Sequence, residues 1–170
     1  MSEIVTPRLT LRRPNADDLE ALYTLTNDPE MHRFLGKNAP SRAASFPRLL
    51  QNAGSWSLYG YGSYIVIDRA TGAMIGNCGV FRSYRGLGED FDNMPEAGWI
   101  IARDHWGKGL AREAMNAALA SFDHIHGRQK IVAMIETGND ASETIAAALG
   151  FTFTRTAPLD GATMRLFNRT

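Results

Sequence analysis

The most informative part of the sequence reads Arg103-Asp104-His105-Trp106-Gly107-Lys108-Gly109-Leu110-Ala111. It joins a predicted strand, residues 96–102, to the clearest helix pattern in the chain. Apolar side chains recur there at helical spacing from Ala111 onward, and Gly127 is predicted to end the helix. A strand, a glycine-containing loop and a helix N-terminus together form a site for an anion. Unpaired backbone N–H groups point outward at such a terminus, and the helix dipole favours negative charge.

The ligand that this loop favours is a phosphate or a pyrophosphate. Gly107 and Gly109 let the backbone approach a ligand without Cβ interference, and Lys108 and Arg112 add positive charge. The loop does not match the G-x-x-x-x-G-K-[ST] pattern of triphosphate sites, and a dinucleotide fingerprint needs a third glycine where Arg112 stands. A simple turn between strand and helix remains an alternative, because short glycine motifs are common by chance.

The elements on either side predict a mixed α/β sheet. Leu9 and Leu11 alternate with polar residues, which is typical of a half-buried strand, and Asn15 is suited to cap the following helix. Further strands are predicted at 56–67, 74–81, 96–102, 130–136, 151–155 and 163–167, and further helices at 31–35, at 41–52, from Ala111 to the stop at Gly127, and after Asn139. An antiparallel meander thus precedes the β-α-β-α-β-β part, so the fold is neither a Rossmann sheet nor a barrel.

Composition narrows the class of protein. The 170 residues predict one domain covering 1–170, and the 18 basic residues balance the 18 acidic ones, so binding to nucleic acid or to an anionic membrane is disfavoured. Cys78, the single cysteine, lies in an apolar strand and is expected as a small buried hydrophobe. The few histidines are badly spaced for a metal, so we expect none. Without a signal-peptide or membrane-spanning run, we expect a cytoplasmic protein.

Several motifs, taken together with the glycine loop, resemble the GNAT superfamily of N-acetyltransferases. They are Glu96-Ala97-Gly98-Trp99-Ile100-Ile101, Trp106-Gly107-Lys108-Gly109-Leu110-Ala111-Arg112-Glu113-Ala114, Asn139-x-x-Ser142 and Leu149-Gly150-Phe151. Thr6-Pro7-Arg8-Leu9-Thr10-Leu11-Arg12 and Ile75-Gly76-Asn77-Cys78-Gly79 resemble in particular the branch that acetylates the N-terminal alanine or serine of ribosomal proteins. The resemblance runs from about Thr6 to Phe167. It implies a mixed, mostly antiparallel central sheet that is flanked by helices and splayed at its central strands.

The resemblance also implies acetyl-CoA as the co-substrate. The CoA pyrophosphate would lie on the loop and helix start, formed by Trp106, Gly107, Lys108, Gly109, Leu110, Ala111 and Arg112. The strand at 98–102 would splay from the strand at 130–136, and the pantetheine arm would pair with the backbone of Ile100 and Ile101 in that gap. Asn139 would contact the pantetheine near the thioester.

The implied reaction is the transfer of an acetyl group to an amine by direct attack on the thioester. The attacking amine must be neutral. About a tenth of an α-amine with a pKa near 8 is neutral at pH 7, against about one in 2,500 for a lysine. Because the sequence offers few bases, a peptide N-terminus or a small-molecule amine is the favoured acceptor. The protein is expected as a monomer or a homodimer.

Glu96 is the first candidate for the general base, acting through a water, because the resemblance places an acidic residue near the acceptor there. Glu136 and His105 are further candidates. Ser142 is the candidate for protonating the leaving thiolate, since many family members use a tyrosine in this region and none follows Tyr84 here. The alternatives are an arginine partner for Glu96 and a helix-capping role for Ser142.

Three points stay open from the sequence. The resemblance leaves the oxyanion to a backbone N–H, that of Ile101. The acidic loop with Glu89, Asp90 and Asp92 either attracts a cationic acceptor or is merely solvated. The missing tyrosine also favours an alternative function, a non-catalytic acyl-CoA-binding or regulatory module with the same fold.

Overall fold

The computed structural model describes residues 3–35 and 41–170, and the strands in these ranges form one mixed sheet. The strands are β1 (Ile4–Val5), β2 (Leu9–Arg12), β3 (Ser63–Asp68), β4 (Met74–Phe81), β5 (Glu96–Ile101), β6 (Ile131–Glu136), β7 (Thr152–Leu159) and β8 (Ala162–Arg169). The helices are α1 (Leu19–Thr26), α2 (Pro29–Leu35), α3 (Arg42–Tyr59), α4 (Glu89–Asp92), α5 (Leu110–His126) and α6 (Asp140–Ala148). The strand order is β1-β2-β3-β4-β5-β6-β8-β7.

The sheet is antiparallel between all described neighbours except β5 and β6, which pair in parallel and only briefly. Residues 96–97 pair with 132–133. Beyond them, 98–101 pairs with β4 alone and 134–136 with β8 alone, so a V-shaped gap opens between the two central strands. This confirms the predicted fold class, a mixed and mostly antiparallel sheet with helices on its faces and a splay at its centre.

Two faces of the sheet carry different helices. Alternate residues of a strand point to opposite faces. Val66 belongs to the large core beneath α5, where Met115 is fully buried, whereas its neighbour Ile65 packs with residues of α1 and α3. On the second face, Phe91 of α4 packs near Val132 of β6. The gap is therefore accessible between a layer made by α5 and α6 and a layer made by α1, α3 and α4.

The helix α3 is longer than predicted, and the strand predicted from Trp56 is wrong at its start. The helix continues to Tyr59 and ends at Gly60, which adopts a left-handed conformation with φ of 76°. Trp56 is buried within the helix, and its Nε1 donates to the carbonyl of Ser63 at 2.9 Å. The aromatic side chain thus fills a core position from a helix, although aromatic residues favour strands.

Other boundaries agree with the sequence more closely. β4 occupies the predicted residues, and Asn15 caps a short 3-10 turn that leads into α1. β1 and α4 were not predicted, and β7 and β8 extend beyond the predicted limits. In the two described ranges, no helix combines the length and the apolar character needed to cross a membrane.

Candidate active site

The glycine loop presents the start of α5 to solvent. Gly107 and Gly109 have φ of 71° and 73°, a left-handed conformation that residues with a Cβ rarely adopt. Gly109 is the N-cap of α5 and has no side chain to cap the helix, so the first backbone N–H groups of the helix remain available to a ligand. These backbone groups are the ones at which the sequence predicts an anion site, with Leu110 buried behind them and Ala111 half-buried.

Basic side chains surround this loop. Lys108 and Arg112 are exposed, and neither forms an ion pair within the described part of the chain. The Nζ of Lys108 donates to the carbonyl of Asp104 at 2.8 Å, which holds its charge close to the loop. Arg103, the basic residue that begins the quoted stretch 103–111, instead lies 3.6 Å from Asp28. The loop therefore combines available N–H groups with two unmatched positive charges.

Arg8 supports the loop from the far end of the sequence. Its Nη1 donates to the carbonyl of Lys108 at 2.8 Å, and its Nε donates to Glu113 at 2.6 Å. Thr6 donates from its hydroxyl to the same carboxylate at 2.6 Å. A Cβ added at Gly109 would lie 3.7 Å from Nη2 of Arg8. The Thr6–Arg8 segment is therefore bonded to both the loop and the first turn of α5.

The carboxylate of Glu113 anchors this network in its charged form. Burial by itself would raise the pKa of Glu113, but hydrogen bonds from Thr6 and Arg8 outweigh that effect and lower the pKa below its usual value. Local spacing could not have revealed the pair, since 105 residues separate Arg8 from Glu113. The one available signal was the Thr6-Pro7-Arg8 motif, whose role was not apparent from the sequence.

Trp106 packs toward the gap. Its Nε1 donates to the carbonyl of Ile101 at 2.6 Å, while 47% of the residue remains exposed. Ala102 donates its backbone N–H to the carbonyl of Ile75 in β4. Because the backbone polar groups of successive strand residues point alternately to the two sides, those of Ile100 also face β4, and those of Ile101 face the gap. A ligand in the gap therefore cannot pair with Ile100 as predicted, whereas Ile101 is open to it, although the ligand must share the Ile101 carbonyl with the indole or displace the indole.

Asn139 and Ser142 meet in the first turn of α6, close to the end of β6. The Oδ1 of Asn139 accepts the backbone N–H of Ser142 at 3.1 Å, so Asn139 is the cap of this helix. The Ser142 hydroxyl has no hydrogen-bond partner in the described ranges, and neither does the amide nitrogen of Asn139. Both groups are half-buried and retain their capacity to donate.

Glu96 is held by an arginine and a serine. The guanidinium of Arg85 binds both carboxylate oxygens, at 2.7 Å from Nε and 2.8 Å from Nη2, and the hydroxyl of Ser83 donates to Oε2. Only 4% of the Glu96 side chain is exposed. A general base needs a lone pair that the amine or a water can reach, and the pairing occupies most of this carboxylate. This arrangement matches the alternative in which Glu96 pairs with an arginine, although here the pair is buried.

The two further base candidates differ in their surroundings. Glu136 is half-buried at the end of β6, opposite Met164 of β8, and forms no ion pair within the described ranges. It lies on the sheet face that carries α4, at the open end of the gap. His105 lies in the short turn that follows β5, where its Nε2 is 3.7 Å from Oδ2 of Asp68. The buried Nδ1 of His105 has no hydrogen-bond partner in the described ranges. Glu136 is therefore the carboxylate that borders the gap.

The acidic loop is bonded internally. Asp90 accepts two hydrogen bonds from Arg155, at 3.0 and 2.8 Å, and these bonds lower the pKa of Asp90. Asp92 is buried and accepts the backbone N–H groups of Arg85 and Gly88. Two of the three carboxylates thus hold the loop together and are not available to attract a cationic acceptor.

Comparison with known proteins gives one consistent family. Residues 8–152 match the family described as acetyltransferase (GNAT) domain. YkkB of Bacillus subtilis (strain 168), an uncharacterised protein, is 29% identical over 158 residues, which are 91% of this chain and 88% of YkkB. The solved structure of a Bordetella pertussis protein assigned to the GnaT acetyltransferases is 34% identical, with 100% of both chains covered and a TM-score of 0.91.

A more distant structure carries a ligand. RimL, a ribosomal L7/L12 alpha-N-protein acetyltransferase, was solved in complex with coenzyme A and is 17% identical to this chain. The superposition covers 99% of this chain and 97% of the RimL chain, with a TM-score of 0.78. At this identity the similarity shows the fold alone. The resemblance to the ribosomal-protein branch therefore stays a prediction.

Proposed function

The chain belongs to the GNAT family of acetyltransferases, and from that premise we propose that it transfers an acetyl group from acetyl-CoA to a primary amine by direct attack on the thioester. The amine belongs to a peptide N-terminus or to a small molecule. The observation that carries the proposal is the adjacency of the uncapped N-terminus of α5 and the gap between β5 and β6. The first suits a pyrophosphate, and the second suits an extended arm that carries amides.

The residues around these two features fit the chemistry of acetyl-CoA. The N–H groups of residues 107–111 would hold the pyrophosphate, and Lys108 and Arg112 would balance its charge. The open backbone of β5 and the amide of Asn139 would hold the pantetheine. When bound, acetyl-CoA supplies an acyl carbon that its thioester activates toward an amine.

The remaining steps fall to side chains that border the gap. We assign the proton of the attacking amine to Glu136, through a water, because Glu96 is bound by Arg85 and Ser83 while Glu136 lacks an ion pair in the described ranges. The unpaired Ser142 hydroxyl would donate a hydrogen bond to the leaving thiolate. The backbone N–H of Ile101 remains our candidate for stabilising the oxyanion.

A thermal-shift experiment with acetyl-CoA, CoA, NAD and ATP tests the binding part of the proposal. A ligand at a hundred times its dissociation constant stabilises the folded state by about 2.7 kcal/mol. For a chain of this length, that raises the melting temperature by roughly 5–10 °C. We expect the shift with acetyl-CoA and CoA but not with NAD or ATP. No shift with acetyl-CoA at millimolar concentration would contradict the proposal.

The catalytic part needs a second measurement. We expect release of the CoA thiol when acetyl-CoA and a suitable amine are both present, and acetylated amine in equal amount by mass spectrometry. Binding of acetyl-CoA without turnover of any α-amine or small amine would instead support the non-catalytic acyl-CoA-binding module.

A further inference from the structure

Two arginines, Arg85 and Arg48, lie near the first residues of β5, and a third, Arg82, lies close to them but toward the α5 side of the sheet. Arg85 binds Glu96 through Nε and Nη2, which leaves its Nη1 without a partner in the described ranges. Arg82 lies three residues earlier, and its guanidinium carbon is 5.9 Å from the ring centroid of Tyr59. Arg48 reaches the same region from α3. Positive charge is thus concentrated here, in a chain whose 18 basic and 18 acidic residues balance overall.

The position of Arg48 follows from the contacts of α3. Residues three and four apart lie on one side of a helix. One turn after Arg48, Asn52 accepts the backbone N–H of Ser63 at 2.9 Å, and Ser55 accepts that of Arg82 at 3.1 Å. Ser45, one turn before Arg48, is buried. Arg48 therefore belongs to the side of α3 that faces the strand ends and the 82–85 segment.

The charge of Arg48 is unmatched. In the described part of the chain, its guanidinium has no carboxylate partner and makes no hydrogen bond. Arg48 is exposed, so a ligand can reach its guanidinium, while crowding by neighbouring groups and the positive charge of Arg85 lower the pKa of Arg48. Arginine nevertheless stays protonated in proteins. The two neighbouring guanidinium groups repel each other, and in the described ranges only Arg85 has a carboxylate partner, so an anion bound between them would offset that repulsion.

This charge lies on the side from which an acceptor reaches the gap. Gly98 follows Glu96 by two residues on the same face of β5, which is about 7 Å along a strand. A Cβ at Gly98 would lie 3.0 Å from the ring of Phe81, so the glycine lets this ring cover the strand. When the amine of an acceptor lies at the opening of the gap, the rest of the acceptor molecule can therefore reach Arg48 and Arg85.

From this arrangement we infer that Arg48 and the open edge of Arg85 bind a carboxylate of the acceptor, so that the preferred substrates are acidic amines. The inference rests on the proposed acetyl transfer and names its substrate class. The carboxylate belongs either to an amino-acid-type small molecule or to an acidic residue near a peptide N-terminus. A preference for acidic acceptors agrees with the bonding of Asp90 and Asp92, because both carboxylates bind groups of this chain and are not available to a cationic acceptor.

Matched acceptors test the inference. Each pair differs only in a carboxylate and its carboxamide, with every other carboxyl group amidated: glutamate α-amide against glutamine α-amide for the small-molecule arm, and Ser-Asp against Ser-Asn N-terminal tetrapeptide amides for the peptide arm. Thiol release from acetyl-CoA gives kcat/KM for each. We expect at least a tenfold preference for the carboxylate member in one arm, and the arm that responds identifies the source of the carboxylate.

Variants of α3 then show whether Arg48 causes the preference for the carboxylate member. Arg48→Gln is expected to reduce kcat/KM for the carboxylate member about tenfold and to leave the carboxamide member unchanged, while Arg48→Lys restores part of the preference. Arg42→Gln is the matched control, because it removes the same charge from the same helix at a residue bonded to Glu20. Arg85 is left intact, since it holds Glu96.

The outcomes separate this inference from the proposed function. Equal turnover of both members, a preference for carboxamides or for polycationic amines, or an unchanged preference in Arg48→Gln overturns the inference alone. Turnover of none of the paired acceptors by a protein that binds acetyl-CoA also overturns it. A wild-type protein that does not bind acetyl-CoA overturns the proposed function instead.

Discussion

Arg8 is a residue whose importance depends on its position beside the glycine loop. Removing its side chain in Arg8→Ala breaks the side-chain bonds to Lys108 and Glu113 and leaves the Glu113 carboxylate with the Thr6 hydroxyl and the backbone N–H of residue 8. Charge-assisted hydrogen bonds at a half-exposed site contribute about 1–2 kcal/mol in total. We therefore expect the dissociation constant for acetyl-CoA, measured by calorimetry, to rise about 5–30-fold.

A truncated co-substrate shows whether Arg8 acts through the pyrophosphate site. Acetyl-pantetheine lacks the pyrophosphate, so its rate of amine acetylation is expected to be the same in Arg8→Ala and the wild type. Arg8→Lys keeps the charge but not the two-armed geometry, and an intermediate affinity is expected. Arg128→Ala is the control, because Arg128 is exposed and, among the residues that the structure describes, donates to the carbonyl of Thr170 alone. An equal loss with acetyl-pantetheine would show that Arg8 supports the fold in general.

Substitution of Glu136 is expected to lower the reaction rate, whereas substitution of Glu96 is expected to lower the folding stability. Glu136→Gln removes the assigned base, which contributes about 100-fold or more to the rate, and raising the pH should recover part of it because more of the amine is then neutral. Glu96→Gln leaves Arg85 without its partner, which costs about 3 kcal/mol of folding stability. Melting temperatures and pH–rate profiles of both variants distinguish these effects, and a stable but inactive Glu96→Gln would reverse the assignment.

The residues of the loop could be predicted from the sequence because they are contiguous. Gly107, Lys108 and Gly109 have the backbone conformations and exposure that an anion site requires. The sequence could not predict the pairs Arg8–Glu113 and Arg85–Glu96, because nothing in the local pattern links residues that come together only when the sheet forms. For that reason the sequence favoured Glu96 as a base and gave no sign of the guanidinium that binds it.

The start of α1 depends on a buried carboxylate. Asp18 accepts the backbone N–H of Asn15 at 2.7 Å and two hydrogen bonds from Arg12, at 2.8 and 2.6 Å. Burial alone would raise the pKa of Asp18, but these bonds outweigh it and lower the pKa. A lowered pKa means that the charged form stabilises the fold above the unfolded-state pKa of about 4, and that this stabilisation is lost as the pH falls through the folded-state value.

Asp18→Asn is therefore expected to cost about 2–3 kcal/mol of unfolding free energy at pH 7. The difference from the wild type should begin to narrow as the pH falls below about 4, where Asp18 of the unfolded chain becomes protonated, and should close as the pH falls through the lowered pKa of the folded state. Urea denaturation at several pH values measures both effects. Asp17→Asn is the control, because Asp17 is exposed and should change stability by less than about 0.5 kcal/mol. A pH-independent difference would show that charge is not the cause.

Helix α3 shows why some elements resist prediction from local pattern. Residues 56–67 are rich in aromatic and β-branched side chains, which favour a strand. The tertiary structure overrides that preference, because Trp56 fills the core near Gly62, where an added Cβ would lie 2.6 Å from the indole ring. β4 and α5 have strong and uninterrupted periodicity, and their boundaries were accordingly predicted within a residue or two.

The sheet as a whole connects the two halves of the proposed site. β5 belongs to the antiparallel half through β4, and β6 belongs to the other half through β8, so the gap between them lies in the middle of one continuous core. The glycine loop follows β5, and the cap of α6 follows β6. A ligand that fills the gap thus contacts both halves, and its binding should stabilise the molecule as one unit.

Cys78 offers a measurement of that coupling. It lies at the middle of β4, paired with Tyr64 and Trp99, with 0% of its surface exposed. Burial raises the pKa of the Cys78 thiol to about 12, and only the thiolate reacts with alkylating reagents. Iodoacetamide labelling, followed by intact mass, is therefore expected to proceed only through molecules whose sheet has opened, and the rate should follow the unfolding equilibrium in urea.

Acetyl-CoA at a hundred times its dissociation constant should slow this labelling about 100-fold, because it stabilises the folded state by about 2.7 kcal/mol. NAD and ATP should leave the rate unchanged, and Arg8→Ala should need proportionally more acetyl-CoA for the same protection. Cys78→Ala, which lacks the only cysteine, gives the background. If Cys78 reacted in the native protein as fast as a free cysteine, β4 would open independently of the rest of the sheet. The gap could not then transmit ligand binding to the whole core.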